Sequence, residues 1–291
     1  MGGFFVFGPA LKVQKWEDPV IHYEGPVGAR EIAKRSWRSL RDVFGVLPLL
    51  FLATLILGAA FGVAALGVAP VKTALTVPKF EDFSLTTLGA YLGAQITAVL
   101  FWSALAAPLA VAIHRFILLR QTHLALAEVR RFFAWLAALL LSAMAARDFC
   151  LLMASVAFVR TLSEVLVTIG AVIVAVQIAL IFPAIAIGVP AASAEQRLDS
   201  GFRMAEGNFW LLLRTLLLTQ LPLIILRIVL ARIAAGPAPG ALLPGQTPPP
   251  PRPITVLRLI ASGTLGVTSV AAIALLAATL SWLYAAKRRD P

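Results

Sequence analysis

Four stretches of this chain run about thirty residues each without a single charge: Val43 to Val71, Phe83 to His114, Val165 to Ala194 and Leu259 to Ala286. A helix needs roughly twenty consecutive apolar residues to cross the hydrocarbon core of a bilayer, so each stretch is long enough to span it. The chain therefore reads as an integral membrane protein. The expected fold is all-α, a polytopic membrane bundle of about six transmembrane helices plus short cytoplasmic interfacial helices.

Composition points the same way. Of 291 residues, 60% are hydrophobic and 13% charged, a balance that water does not keep dispersed. A net charge of +11 raises the question of nucleic acid. The basic residues, however, stand at the ends of apolar segments, where they face anionic headgroups and fix orientation. The expected partners are membrane lipids and not nucleic acid. Cys150 is the single cysteine, so it can form neither an intrachain disulfide nor a thiolate metal site, and reads as a small apolar filler. No cleavable targeting segment is evident in Met1 to Gly8, whose apolar run, Phe4 to Phe7, lacks a basic start. Val6 stands where a myristoylation motif needs Ser or Thr. The first span is the expected uncleaved signal. Residues 1–28, with Pro9, Pro19 and Pro26, read as an irregular cytoplasmic segment.

Two further spans are interrupted by charge. With Arg130 and Arg131 at the membrane surface, Arg147 lies about 24 Å along the helix axis, which puts Arg147 and Asp148 near the opposite interface. The other interrupted span opens near Asn208, with Arg214 about 9 Å in and Arg227 about 20 Å beyond it. Both arginines extend to the headgroups, one at each face. The expected spans are then 43–69, 87–114, 132–157, 165–189, 208–232 and 259–284, in a transmembrane domain of residues 29–286 followed by a basic cytoplasmic tail at 287–291. Residues 236–253, with Pro248 to Pro251 consecutive, favour polyproline II and read as an extended, solvated spacer.

Orientation follows from Lys and Arg. They gather before the first span (Lys12, Lys15, Arg30, Lys34, Arg35, Arg38, Arg41), between spans two and three (Arg115, Arg120, Arg130, Arg131) and at the carboxyl end (Lys287, Arg288, Arg289). Six spans place all three groups on one side, and the positive-inside rule makes that side the cytoplasm. One loop disagrees, because Arg227, Arg232, Arg252 and Arg258 lie between spans five and six.

Ala29 to Phe44 carries a helical pattern of its own. Ala33, Trp37, Leu40 and Phe44 form an apolar stripe beside the basic residues Arg30, Lys34, Arg38 and Arg41. Such a helix either lies in the headgroup plane, with Trp37 at the boundary, or extends span one into the cytoplasm. A second short helix, Ser193 to Glu206, starts with Ser193 and Gln196 at capping-box spacing and stops at Gly207; Ala194, Leu198, Phe202 and Ala205 mark its expected buried side. Gly58 and Gly62, and Gly89 and Gly93, stand at G-x-x-x-G spacing, the pattern that lets helices touch closely in lipid. Packing within the chain is the leading reading of both pairs. Dimerisation and chance occurrence are its alternatives.

A proline followed by small apolar residues ends span two, at Pro108, and span four, at Pro183. An aromatic pair opens the next span in each case, Phe132 with Phe133 and Phe209 with Trp210. This hints at a duplicated unit in parallel orientation. The stretch Phe182 to Leu218, FPAIAIGVPAASAEQRLDSGFRMAEGNFWLLLRTLLL, resembles bacterial inner-membrane proteins of the YciC-like kind and the related membrane domain of some glycerophosphodiester phosphodiesterases. Pro183 to Ala186 and Gly207 to Phe209 carry the resemblance, which extends loosely over Asp42 to Ala286. It implies a multi-pass protein of the bacterial cytoplasmic (inner) membrane and brings no catalytic residues with it; the charge distribution is what puts both termini in the cytoplasm. High usage of Ala, Arg, Leu and Pro suits a GC-rich bacterium.

An enzyme or pump needs ionisable groups converging inside the bundle, because buried charge in a bilayer is costly and retained for use. The intramembrane polar candidates are Gln95, Gln177, Arg214 and Gln220, with Ser103 beside them. Gln in a span more often bonds across to a neighbouring helix than lines a pathway. His22, His114 and His123 are too dispersed for a metal site, and no catalytic or cofactor-binding constellation stands out. The expected function is a structural or accessory role in envelope or lipid homeostasis, without evident catalytic machinery. A transporter or channel component for a small solute or lipid, and a membrane-embedded lipid enzyme, are the alternatives.

Overall fold

Residues 28–67, 85–153, 157–189, 193–235 and 254–287 are described by a computed structural model, and every regular element among them is an α-helix. The lead-in, the proline-rich loop and the end of the basic tail lie outside the described residues. The helices are α1 (Ala29–Val46), α2 (Pro48–Gly67), α3 (Leu85–Leu119), α4 (Leu126–Met153), α5 (Ala157–Ile178), α6 (Ile181–Ala186), α7 (Ala194–Ala205), α8 (Phe209–Ala235) and α9 (Val256–Lys287).

Five of them, α2, α3, α4, α8 and α9, are long and apolar enough to cross a membrane. The chain is thus a multi-pass membrane protein. With 35 and 32 residues, α3 and α9 run about 52 and 48 Å, longer than a hydrocarbon core of about 30 Å. The expected first span shortens to Pro48–Gly67. Leu47 leaves helical geometry at φ −123° and ψ 51°, as a residue ahead of proline tends to, and Pro48 takes the first position of α2, where no N–H is needed.

The expected fourth span, 165–189, is not one helix. It is broken at Ala179 and Leu180 into α5 and the six-residue α6. Pro183 sits in the first turn of α6, where its missing N–H costs nothing. Gly188, at φ +77°, then ends α6: its N–H donates to the Ile185 carbonyl at 3.1 Å and that of Val189 to the Ala184 carbonyl at 3.0 Å. Those two bonds and the left-handed glycine make a Schellman cap. The irregular backbone is tolerated because all six residues of α6 are buried in protein. Pro108, by contrast, lies inside an unbroken α3, so the two proline runs that suggested a repeat take different local shapes.

Cross-chain contacts fix the directions. Gly58 and Gly62 of α2 meet Gly266 and Ser262 of α9, an antiparallel pairing. Phe61 stacks on Phe101 with ring centroids 4.4 Å apart, and His114 near the end of α3 meets Ser281 near the end of α9, so α3 runs along α9 and antiparallel to α2. Tyr91 reaches Asp148, reversing α4 against α3, while Phe132 near the start of α4 touches Phe182 of α6. Gln220 and Ala234 of α8 meet Ala272 and Arg258 of α9, antiparallel again. The chain therefore runs from end to end of the bundle six times in alternating directions, with α5 as the fourth passage.

Burial is uneven along that axis. The inner end, where α1, α6 and α7 sit, holds Leu109, Val111, Ile113, Leu180, Ile185, Leu275 and Leu283, all nearly inaccessible. Away from it, α2 and α8 present Leu52, Ile56, Ile225 and Ile228 outward, as lipid-facing helices do. The C-terminal helix α9 is the hub, packed on α1, α2, α3 and α8.

α1 lies across α8 and α9 as a surface helix. Its buried face is Ile32, Ser36, Ser39 and Val43, one residue behind the apolar stripe read from the sequence; Trp37 and Phe44 are 42% and 49% exposed. Trp282 Nε1 donates to Ser39 Oγ at 3.0 Å, and the Arg35 guanidinium stands 5.7 Å from the Trp282 ring centre. Small serines let α1 approach α9 closely, and the larger apolar groups beside them are left for lipid. Arg35 also donates to Glu31 at 2.8 Å, and that bond holds the Glu31 carboxyl below the usual carboxylate range. In α7, Ser193 caps by accepting the Gln196 N–H at 3.1 Å, and Gly207 closes the segment at φ +72°. The buried side of α7 is Gly201 and Ala205, with Leu198 half-buried; Ala194 and Phe202 are exposed, contrary to the pattern.

Candidate functional site

Two polar clusters lie at opposite ends of the bundle. The inner one is built around the turn at residues 186–189. Arg115, buried near the end of α3, donates from Nη1 to the Ala186 carbonyl at 3.5 Å, so a cation meets the C-terminus of α6. Its Nη2 donates to Gln121 Oε1 at 2.6 Å and lies 2.9 Å from His123 Nε2. A guanidinium has no acceptor, so His123 Nε2 must carry the lone pair. Arg197 of α7 donates to the Val189 carbonyl at 3.3 Å. Burial chiefly, and the positive charge of Arg131 second, lower the pKa of Arg197.

The residue before Arg115, His114, is fully buried with Nδ1 2.7 Å from Ser281 Oγ. The Ser281 hydroxyl donates to the Ala277 carbonyl at 2.9 Å. Its single proton is spent there, so His114 Nδ1–H is the donor across the α3–α9 contact. His114 packs on Phe132, with ring centroids 5.9 Å apart, and its Nε2 has no hydrogen-bond partner among the described residues. A serine beside a histidine invites comparison with an activated nucleophile. Here both side chains are at 0% exposure, and nothing could reach them.

The outer cluster joins α3 to α4. Tyr91, 3% exposed, donates to Asp148 Oδ1 at 2.9 Å, and Gln95 Nε2 donates to the Tyr91 hydroxyl at 3.2 Å. Asp148 is 5% exposed, and its Oδ2 has no hydrogen-bond partner among the described residues. On the same end, buried Arg258 donates from Nε to the Ala234 carbonyl at 2.9 Å. It thereby neutralises the C-terminus of α8, so an arginine that the sequence placed between spans five and six lies in the first turn of α9 and has a structural use.

The four intramembrane candidates are not brought together. Gln95 belongs to the outer cluster, and Gln220 donates to the Ala272 carbonyl of α9 at 3.3 Å, as a packing glutamine does. Arg214 is exposed on α8. Gln177 lines an open groove of about 550 Å³ with Asp199, Arg203 and Glu206 of α7 and Phe209 of α8, where Asp199 and Arg203 pair with one another at 2.9 Å. Arg30, Lys34, Arg38 and Arg41 are all exposed on α1. Gly58 and Gly62 stand at the α2–α9 crossing, whereas a Cβ at Gly89 or Gly93 would meet nothing within 4 Å. The second glycine pair thus makes no close helix contact among the described residues. Among the described residues no group of three or more His, Cys, Asp and Glu is placed to hold a metal ion.

Sequence reasoning did not reach Tyr91, Ser281, Gly201 or the pairing of Arg115 with α6. A signal for the last existed: Gly188 two residues ahead of Pro190 is a helix stop. No protein-family model, no curated protein and no solved structure matches the chain.

Proposed function

We propose that the chain is a multi-pass protein of a bacterial inner membrane, related to the YciC-like group, with a structural or accessory role in envelope or lipid homeostasis. The observation that carries this reading is how polar groups at membrane depth are used. Tyr91 with Asp148, His114 with Ser281 and Gln220 with Ala272 each tie one helix to the next. At the inner end Leu109, Ile113, Leu180, Ile181 and Leu275 fill the interior. A conduit needs a continuous polar lining. A lipid enzyme needs several reactive groups converging beside a substrate pocket, and the 550 Å³ groove offers Gln177 and a single carboxylate, Glu206, beside the Asp199–Arg203 ion pair.

Purified protein reconstituted into liposomes loaded with a proton-sensitive or potassium-sensitive dye should give flux no greater than protein-free vesicles. Cells lacking the chain should lose resistance to detergent and regain it with either the wild type or Gln177→Ala. Flux abolished by Asp148→Asn or Gln177→Ala would replace this reading with the transporter one.

Orientation is part of the same proposal, with α1, α7 and both termini on the cytoplasmic side. It is supported by the exposed basic residues of that end, among them Arg30, Lys34, Arg38, Arg41, Arg130 and Arg131. A Ser200→Cys variant in a Cys150→Ala background should react with a membrane-impermeant maleimide only after the cells are opened. Labelling of intact cells would invert the topology.

A further inference from the structure

The turn that closes α6 collects positive charge from three helices, α3, α4 and the α7 that follows it. Arg115 of α3 and Arg197 of α7 hold its carbonyls, at Ala186 and Val189. Glu128 of α4 approaches within 3.2 Å of where a Cβ on Gly188 would stand. Arg131 lies three residues after Glu128, on the same face of α4, and is near enough to Arg197 for the two positive charges to oppose one another.

Bringing guanidinium groups together where two of them, Arg115 and Arg197, are buried or half-buried is unfavourable unless an anion joins them. Among the described residues no anion pairs with Arg131 or Arg197. Neither Arg131 nor Glu128 makes an ion pair or hydrogen bond among the described residues, and the buried Arg115 Nε has no hydrogen-bond partner there. Glu128 offsets only one of the three cations. Leu124 and Leu126, in the link between α3 and α4 and at its end, are 45% and 74% exposed. Apolar tips beside basic heads suit the boundary between acyl chains and headgroups.

We propose that the turn at residues 186–189 is the floor of a binding site for the phosphate of an anionic phospholipid, held between Arg131 and Arg197 with Arg115 behind them. The exposed leucines select a lipid over a free anion, because inorganic phosphate would leave them unpartnered. The site requires only that the chain span a membrane. It stands or falls separately from the accessory role.

The test is titration of the full-length protein, in neutral detergent, with dioctanoyl phosphatidylglycerol, dioctanoyl phosphatidylcholine and inorganic phosphate, read by calorimetry. Phosphatidylglycerol should bind at least about tenfold more tightly than phosphatidylcholine, and phosphate should show no saturable binding. Arg131→Gln and Arg197→Gln should each weaken phosphatidylglycerol binding about tenfold. Arg131→Gln must also keep the wild-type melting temperature, since that side chain makes no hydrogen bond or ion pair among the described residues. Arg30→Gln with Arg38→Gln on α1 is the control for diffuse attraction and should leave affinity unchanged. Equal loss in that control, unaltered binding in both site variants, or phosphate binding as tightly as phosphatidylglycerol would each overturn the proposal.

Discussion

Replacing Gly266 by leucine should cost the bundle on the order of 3 kcal/mol, the upper range for overpacking a close contact. The reason is the approach of two backbones. A Cβ at Gly266 would run into the carbonyl oxygen of Gly58, and one at Gly62 into that of Ser262. One at Gly58 would lie 2.6 Å from Val270 Cγ2 and 3.0 Å from the Gly266 carbonyl oxygen. Ser262 also donates its hydroxyl to the Gly62 carbonyl. Lipid supplies no hydrophobic drive between helices, so the close approach and its dispersion energy must hold α2 against α9. Since α9 is the hub, parting them loosens its packing on the rest of the bundle. Unfolding in mixed micelles of rising dodecyl sulfate content, followed by circular dichroism, measures the loss. Gly89→Leu and Gly93→Leu have the same spacing in sequence but open space around them, and should shift stability by less than about 0.5 kcal/mol. A Gly266→Leu protein as stable as the wild type would show that the crossing contributes little, and so would controls that fall with it.

The contrast between those glycine pairs shows what a sequence of this kind discloses. Length and apolarity reveal that helices span, and the runs at 259–284 and 208–232 correspond to α9 and α8 within a few residues. Which face of a helix meets protein is another matter. In water the most apolar stripe is the buried one, but lipid is as apolar as a core. Trp37 and Phe44 of α1 can therefore face outward while Ser36 and Ser39 turn inward. Phe202 and Gly201 of α7 differ in the same way: glycine takes the tight contact, where a Cβ would stand 2.5 Å from Ile181 Cγ2. The break at Ala179 and Leu180 stayed hidden because an unbroken apolar run looks alike whether the backbone is helical or turning inside protein. The polar ties were invisible for a topological reason. Tyr91 and Asp148 are 57 residues apart, and His114 and Ser281 167. Only the packing of α3 on α4 and on α9 brings them together.

Tyr91→Phe should lower stability by about 2 kcal/mol, the cost of leaving a buried polar group unsatisfied rather than of one lost bond. The Tyr91 hydroxyl is the partner that Asp148 has among the described residues, at Oδ1; Oδ2 has none. Removing the hydroxyl leaves a carboxyl that is 5% exposed with neither oxygen engaged, and takes from Gln95 its acceptor as well. If the pair is a structural tie, adding Asp148→Leu to Tyr91→Phe should restore most of the loss, because two apolar groups of fitting shape can replace a hydrogen-bonded pair at little net cost. The coupling between the two substitutions, measured in the same dodecyl sulfate titration, should reach about 1 kcal/mol or more. A double variant as unstable as the single one would mean that Asp148 is held by something other than Tyr91. The same two proteins also decide whether this carboxylate is kept for transport, the usual reason for one at membrane depth. A tie predicts that the restored double variant, like the wild type, gives vesicles no leakier than protein-free ones. A pathway predicts wild-type flux that vanishes with Asp148 even though stability has returned.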